Sequence, residues 1–205
     1  MKSRIIFKKD AQEVIKICNS PAEFQKELFI YKKELEFTPK LIDHDKRMKL
    51  ILQYIPGQRV ADIGKPDFSK LAKLFLKLHK VGKKQNQVIC QVDTNPKNYL
   101  VWDGKYYMLD FSEWSWQLPE VDLINFLLFW ASRQTDYQFR QTCDIFLNTY
   151  LRESSINMIE WELLLAELTQ KFDWRRKNFG KKERIFNSDV GKNRNYLQNI
   201  NTILK

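Results

Sequence analysis

The first apolar positions come as two short β-branched runs, "RIIFKK" and "EVIKIC", separated by a polar turn, a pattern that predicts a hairpin. The period then lengthens. Phe24, Leu28, Tyr31 and Leu35 recur every three or four residues and predict one apolar helix face. Ser20 with Glu23 fits a capping box, and Pro21 stands at the first helical position. "FTPKLIDHD" and "MKLILQYIPG" read as two further strands, the second stopped by Pro56-Gly57. The first 57 residues therefore predict a small sheet carrying one helix.

Beyond Gly57 the pattern becomes helical. Residues 67–80, "DFSKLAKLFLKLHK", place Phe68, Leu71, Leu74, Phe75 and Leu78 on one face and lysines 70, 73, 77 and 80 on the other. "NYLVW" and "KYYML" flank Asp103-Gly104, a strong signal for a two-residue hairpin turn. Helices are expected from about 120 to 172. The most apolar run, 121–131, is 11 residues long, too short to span a bilayer. The expected class is α+β. A β-rich segment, residues 1–57, precedes a larger helical one, residues 58–205, into which the hairpin is inserted.

Composition narrows the picture. An apolar fraction of 43% and an aromatic fraction of 14% describe a packed globule and exclude a disordered chain. The start, "MKSRIIFKKDAQ", turns charged too early for a signal peptide. Cys18, Cys90 and Cys143, with His44 and His79, form no zinc pattern, and reduced thiols in a cytoplasm are the expectation. The net charge of +10 is concentrated late in the chain. Residues 171–205 hold ten Lys or Arg against Asp173, Glu183 and Asp189, so 10 − 3 = +7. Such a tail attracts nucleic acid, nucleotide or an anionic lipid surface. A solvated tail that aids solubility accounts for it equally well.

The chemistry gathers around the hairpin. With the turn at 103–104, position 98 faces position 109, and Asn98 and Asp110 become diagonal neighbours at the open end of the ribbon. Asp93 lies five residues before Asn98, on the loop that enters the first strand. Mg²⁺ takes a few oxygen ligands from protein and the rest from water and phosphate. Asn98 and Asp110 are a suitable pair, and Asp93 is placed to accept a proton from a hydroxyl. The plain alternatives are an Asp turn for Asp93 and a cap of the next segment for Asp110.

"DTNPKN", Asp93 to Asn98, resembles the catalytic loop of protein kinases and related small-molecule kinases, and "LDFS" around Asp110 resembles their metal-binding Asp-Phe-Gly, with Ser112 in the glycine position. "KLAKLFLKLHKVG", "LILQYIPG" and "LPEVDLINFLLFWA" give the chain the look of aminoglycoside, choline and lipopolysaccharide-core kinases. The resemblance implies a two-lobed protein-kinase-like fold with a reduced N-terminal lobe. It also implies an ATP- and Mg²⁺-dependent phosphotransferase with Asp93 as base and Asn98 and Asp110 on the metal. Lys16 would grip the ATP phosphates with Glu27 as its helical partner, and the backbone of Gln53, Tyr54 and Ile55 would meet adenine. An edge-strand lysine and a surface glutamate are the ordinary readings of Lys16 and Glu27. Asp122 matches an aspartate that braces the catalytic loop in that family, and helix capping explains it equally well.

The pattern departs from the family in two places. No glycine precedes Gly57, so the glycine-rich phosphate loop is missing, and Gln91-Val92 replaces the usual histidine-led pair before Asp93. The expected reaction transfers the γ-phosphate of ATP to a hydroxyl of a small-molecule, glycan, lipid or protein acceptor. The basic tail favours an anionic acceptor. The alternative is a pseudokinase that recruits nucleic acid or protein through "WRRKNFGKKERIF", residues 174–186.

Overall fold

A computed structural model of the chain describes residues 3–8, 10–154, 160–179 and 188–200. In chain order the strands and helices are β1 (Arg4–Lys8), β2 (Glu13–Ile17), α1 (Pro21–Tyr31), β3 (Leu41–Asp45), β4 (Lys49–Gln53), β5 (Gln58–Arg59) and α2 (Phe68–Lys80). There follow β6 (Lys83–Lys84), β7 (Gln87–Cys90), β8 (Tyr99–Trp102), β9 (Lys105–Met108) and β10 (Ser115–Gln117). Four helices close the described chain: α3 (Glu120–Ala131), α4 (Asp136–Arg152), α5 (Trp161–Phe179) and α6 (Val190–Gln198). They form two compact units, Met1–Pro66 with Pro96–Trp114, and Asp67–Asn95 with Ser115–Lys205.

The first unit contains an antiparallel sheet of order β1-β2-β4-β3. This order makes β2 an interior strand, so Lys16 lies mid-sheet opposite Leu50 and is 5% exposed. Helix α1 buries Phe24, Leu28 and Tyr31 as their spacing requires. It stops at Tyr31, before the predicted Leu35, and the chain turns through Glu34 at φ 52°. Ser20 Oγ accepts the Glu23 N–H at 3.1 Å, while Glu23 Oε2 accepts the N–H of Asn19, one residue earlier than a capping box requires. β8 and β9 form the predicted hairpin, with Trp102 opposite Lys105 and Gly104 at φ 68°. β5 extends that ribbon beside β8. A Cβ on Gly57 would stand 2.8 Å from the Val101 carbonyl oxygen, so glycine is the residue that admits this approach.

The second unit is built around α2, whose apolar face carries the predicted residues. Phe75 meets Phe126 edge-on at 5.2 Å and Phe146 at 5.6 Å, and Phe126 stacks on Phe146 at 4.7 Å. Sequence reading missed the small sheet β10-β7-β6 here. Its strands are two to four residues long, below what alternation can signal.

The described part of the basic C-terminal stretch is helical and packed. Asn193, fully buried, donates from Nδ2 to the carbonyls of Ala131 and Gln134, which satisfies the C-terminal end of α3. Trp161 Nε1 donates to the Leu197 carbonyl at 3.0 Å. Arg194 pairs in two bonds with Asp173, Lys171 pairs with Glu167, and Lys192 with Asp189. Residues 180–186 of the aromatic and basic stretch 174–186 lie outside the described residues.

Candidate functional site

In the first unit the strand lysine and the helical glutamate meet. Lys16 Nζ donates to Glu27 Oε1 at 2.7 Å and to Asp110 Oδ1 at 2.9 Å. Glu27 is completely buried, so neither partner is the surface charge that its sequence context also allowed. Burial opposes the Lys16 ammonium, and the charges of Glu27 and Asp110 more than offset it, so the lysine is held charged well above its usual range. Burial also opposes the Asp110 carboxylate. The Lys16 charge and the hydrogen bonds from Lys16 and Ser112 outweigh it and hold Asp110 below its usual value. Glu27 is pushed up to about 7, because burial outweighs the attraction of Lys16.

The hairpin has the register expected from its turn. The Leu109 N–H donates to the Asn98 carbonyl at 2.8 Å, so Asn98 is opposite Leu109 and diagonal to Asp110. Asp110 takes φ 61°, and Ser112 Oγ donates to its Oδ1 at 2.8 Å. The side chain of Asp110 is 41% exposed, which leaves an ionised carboxylate within reach of solvent. In the segment 53–55 the N–H of Gln53 is donated to Lys40 and that of Tyr54 to Gln12. Among the described backbone bonds, none is donated by the N–H of Ile55.

The second unit explains how the loop before Asp93 is held. Asp122 lies near the start of α3 but makes no cap; the cap position is Pro119. Its carboxylate instead accepts the N–H of Gln91 at 2.8 Å and the N–H of Val92 at 2.7 Å. One turn along α3, Asn125 Nδ2 donates to the Val92 carbonyl at 3.2 Å. Val92 takes φ 69°, and the Asp93 N–H closes onto the Gln91 carbonyl at 2.9 Å. A β-branched residue in this region costs about 1–3 kcal/mol and persists only where its surroundings over-determine it. Asp122 and Asn125 supply that restraint by holding both peptide groups of Val92. The half-buried Asp93 follows directly.

Two further members of this network escaped sequence reading. His79 is buried, with Nε2 3.1 Å from Asp122 Oδ2 and Nδ1 2.6 Å from the Tyr150 hydroxyl. The tautomer that satisfies both contacts carries its proton on Nε2, donates to Asp122, and accepts from Tyr150. Burial first, with the carboxylates of Asp122 and Glu120 acting in the same direction, pushes the Tyr150 phenol up and keeps it a donor. The sequence did carry a signal, since His79 follows Phe75 by one helical turn and continues the apolar stripe of α2. Cys90 Sγ also lies near His79, and the donor atoms of His79, Cys90 and Asp122 fall within 4.8 Å of one another. Burial first, then Asp122, holds Cys90 as a neutral thiol that donates to the Leu118 carbonyl, and the Asp122 oxygens are engaged by backbone N–H groups. The cluster is a hydrogen-bonded brace.

Asp122→Asn would place an amide NH₂ against a backbone N–H. This change is expected to cost about 1–3 kcal/mol. For a chain of this size that corresponds to a fall in melting temperature of roughly 2–10 °C, measurable by calorimetry.

No protein-family model matches the sequence, and no curated protein matches it. Solved structures do. A choline kinase, LicA, from Streptococcus pneumoniae superposes with a TM-score of 0.62 at 14% identity, covering 100% of this chain and 90% of that one. A choline/ethanolamine kinase family protein from Mesorhizobium loti gives 0.61 at 12% identity, covering 100% and 85%. The ADP-bound aminoglycoside phosphotransferase APH(2'')-Ib gives 0.58 at 12% identity, covering 97% and 92%. The chain therefore has a protein-kinase-like α+β fold, similar to that of choline and aminoglycoside kinases.

Proposed function

We propose that the protein is an ATP-dependent phosphotransferase acting on a hydroxyl of a small-molecule acceptor. The observation that carries this reading is the buried pair Lys16 and Glu27 with the partly exposed Asp110, joined at 2.7 and 2.9 Å around one ammonium. A sheet interior tolerates a lysine only when it is paired, and here the pairing fixes the ammonium where phosphate oxygens could replace part of its contacts. Lys16, steadied by Glu27, holds the α- and β-phosphates. Asn98 and Asp110 are oxygen donors suited to Mg²⁺, which would neutralise charge on the phosphates. Asp93, five residues before Asn98 in the chain, accepts the proton of the attacking hydroxyl and orients it. The N–H of Ile55 meets the adenine edge.

Fold similarity to choline and aminoglycoside kinases supports a small-molecule acceptor, and the ADP in one of those structures supports a nucleotide as the phosphoryl donor. The expectation of an anionic acceptor rests on the positive balance of residues 171–205. Among the described residues of that stretch, Arg194, Lys171 and Lys192 pair with acidic side chains of the protein, and the acceptor panel decides the acceptor's charge.

The test is nucleotide binding followed by turnover. ATP with Mg²⁺ at 100 times its dissociation constant is expected to stabilise the full chain by about 2.7 kcal/mol. ADP release should then depend on an added hydroxyl compound from a panel of amino alcohols and sugars. Stabilisation without turnover on any acceptor would favour the pseudokinase, a reading supported by the glycine-free β1–β2 turn. No stabilisation would overturn both.

A further inference from the structure

A cavity of about 510 Å³ lies within the second unit, and Asp93 does not line it. Its lining comes from the end of α2, the β6–β7 hairpin, the start of α3 and the end of α4. Glu120, the first residue of α3, is among the lining residues and is 3% exposed. Its Oε2 is buried and has no hydrogen-bond partner among the described residues. Burial raises the affinity of this carboxyl for its proton, and Glu160 raises it further, while its own backbone N–H and His79 act in the opposite direction. A buried carboxylate oxygen without a donor is costly, and the group that would satisfy it carries N–H or O–H.

The remaining lining narrows the class of that group. Leu76, Val88 and Leu118 supply apolar surface suited to methylene groups, and Tyr150 adds an aromatic wall. Glu153 and Glu160, both exposed, add two more carboxylates, so acidic side chains in the lining outnumber Lys80 and Lys83 by three to two. A neutral polyol would satisfy Glu120 but would leave the excess of acidic over basic side chains in the lining unbalanced. We propose that this cavity binds a linear aliphatic diamine or polyamine, with one ammonium donating to Glu120 Oε2 and a second near Glu153 and Glu160. It is a ligand site separate from the proposed phosphotransfer residues, none of which lines it.

The experiment titrates the nucleotide-free full chain with 1,4-diaminobutane, 1,4-butanediol and n-butylamine at matched ionic strength, by calorimetry. The diamine is expected to bind saturably and at least about tenfold more tightly than the diol, the factor for one charge-assisted hydrogen bond. Glu120→Gln, which keeps the shape of the side chain, should lower diamine affinity by a similar factor. Glu153→Gln with Glu160→Gln should weaken the diamine and leave n-butylamine unchanged. Equal binding of diol and diamine, no saturable binding of the diamine, or a folded Glu120→Gln protein with unchanged affinity would each overturn the proposal. The diol comparison uses the parent protein and so decides the matter even where a variant fails to fold. The site's failure would leave ATP binding untouched.

Discussion

Changing Asp93 to alanine is expected to lower phosphoryl transfer by about 10²–10⁴-fold, the range for loss of a positioned general base, and to leave stabilisation by ATP and Mg²⁺ in place. The separation follows from the different parts the two groups would play. The cation that would grip phosphate is Lys16, held by Glu27 and Asp110 in the first unit. What Asp93 has instead is a tightly held backbone. Its N–H closes onto Gln91, and Val92 is clasped by Asp122 and Asn125. Catalysis by proximity needs such restraint, because a base displaced by an ångström loses much of its advantage. The measurement pairs single-turnover rates with melting shifts for parent and variant. Equal rates would remove Asp93 from the reaction. A lost nucleotide shift would mean that the change had disturbed more than the base.

Much of this arrangement was legible in the sequence because it rests on local rules. Asp103-Gly104 dictates a two-residue turn, the turn dictates register, and register brings position 98 opposite 109 and diagonal to 110. Lys16 and Glu27 were found through their order along a resembling pattern. Their burial could not have been read locally, because it depends on β4 pairing with β2 and making that strand interior. The brace was half legible. Asp122 was recognised, but its choice between capping α3 and holding residues 91–92 is a tertiary matter, decided by where β7 ends. His79 was set aside because metal spacing was the question asked of it. A polar residue on the buried stripe of α2 was the better clue, since such a group must find a partner. The packing of the C-terminal stretch was not legible from its charge count: Asn193, Tyr196 and Leu197 are buried, and one ionic residue of α6, Arg194, is tied to Asp173 on α5.

Removing the cation from the buried set should have the second large effect, and on two properties at once. Lys16→Met leaves Glu27, fully buried, without the ammonium that now lies 2.7 Å away; its Oε2 already lacks a partner among the described residues. Breaking a buried pair from one side costs about 3–5 kcal/mol, roughly 10 °C or more in melting temperature for a chain of this length. The loss should grow with pH. Burial already pushes Glu27 up to about 7 from 4.5, with Lys16 opposing the rise. A carboxyl raised in the fold contributes stability below its unfolded value and loses that contribution as pH climbs through the folded one. Without Lys16 the carboxyl must stay neutral at still higher pH, so the variant should be more destabilised at pH 9 than at pH 6. Asp110 is less affected, since its partly exposed side chain can turn to water. Lys16→Met combined with Glu27→Leu separates the two roles. The pair replaced by apolar groups should recover most of the stability, because the uncompensated charge is gone. Nucleotide-dependent stabilisation should remain lost in both variants, because the group that meets the phosphates is absent. If the double variant regained nucleotide binding as well as stability, Lys16 would be a structural lysine, and the phosphate grip would have to be sought elsewhere in the molecule.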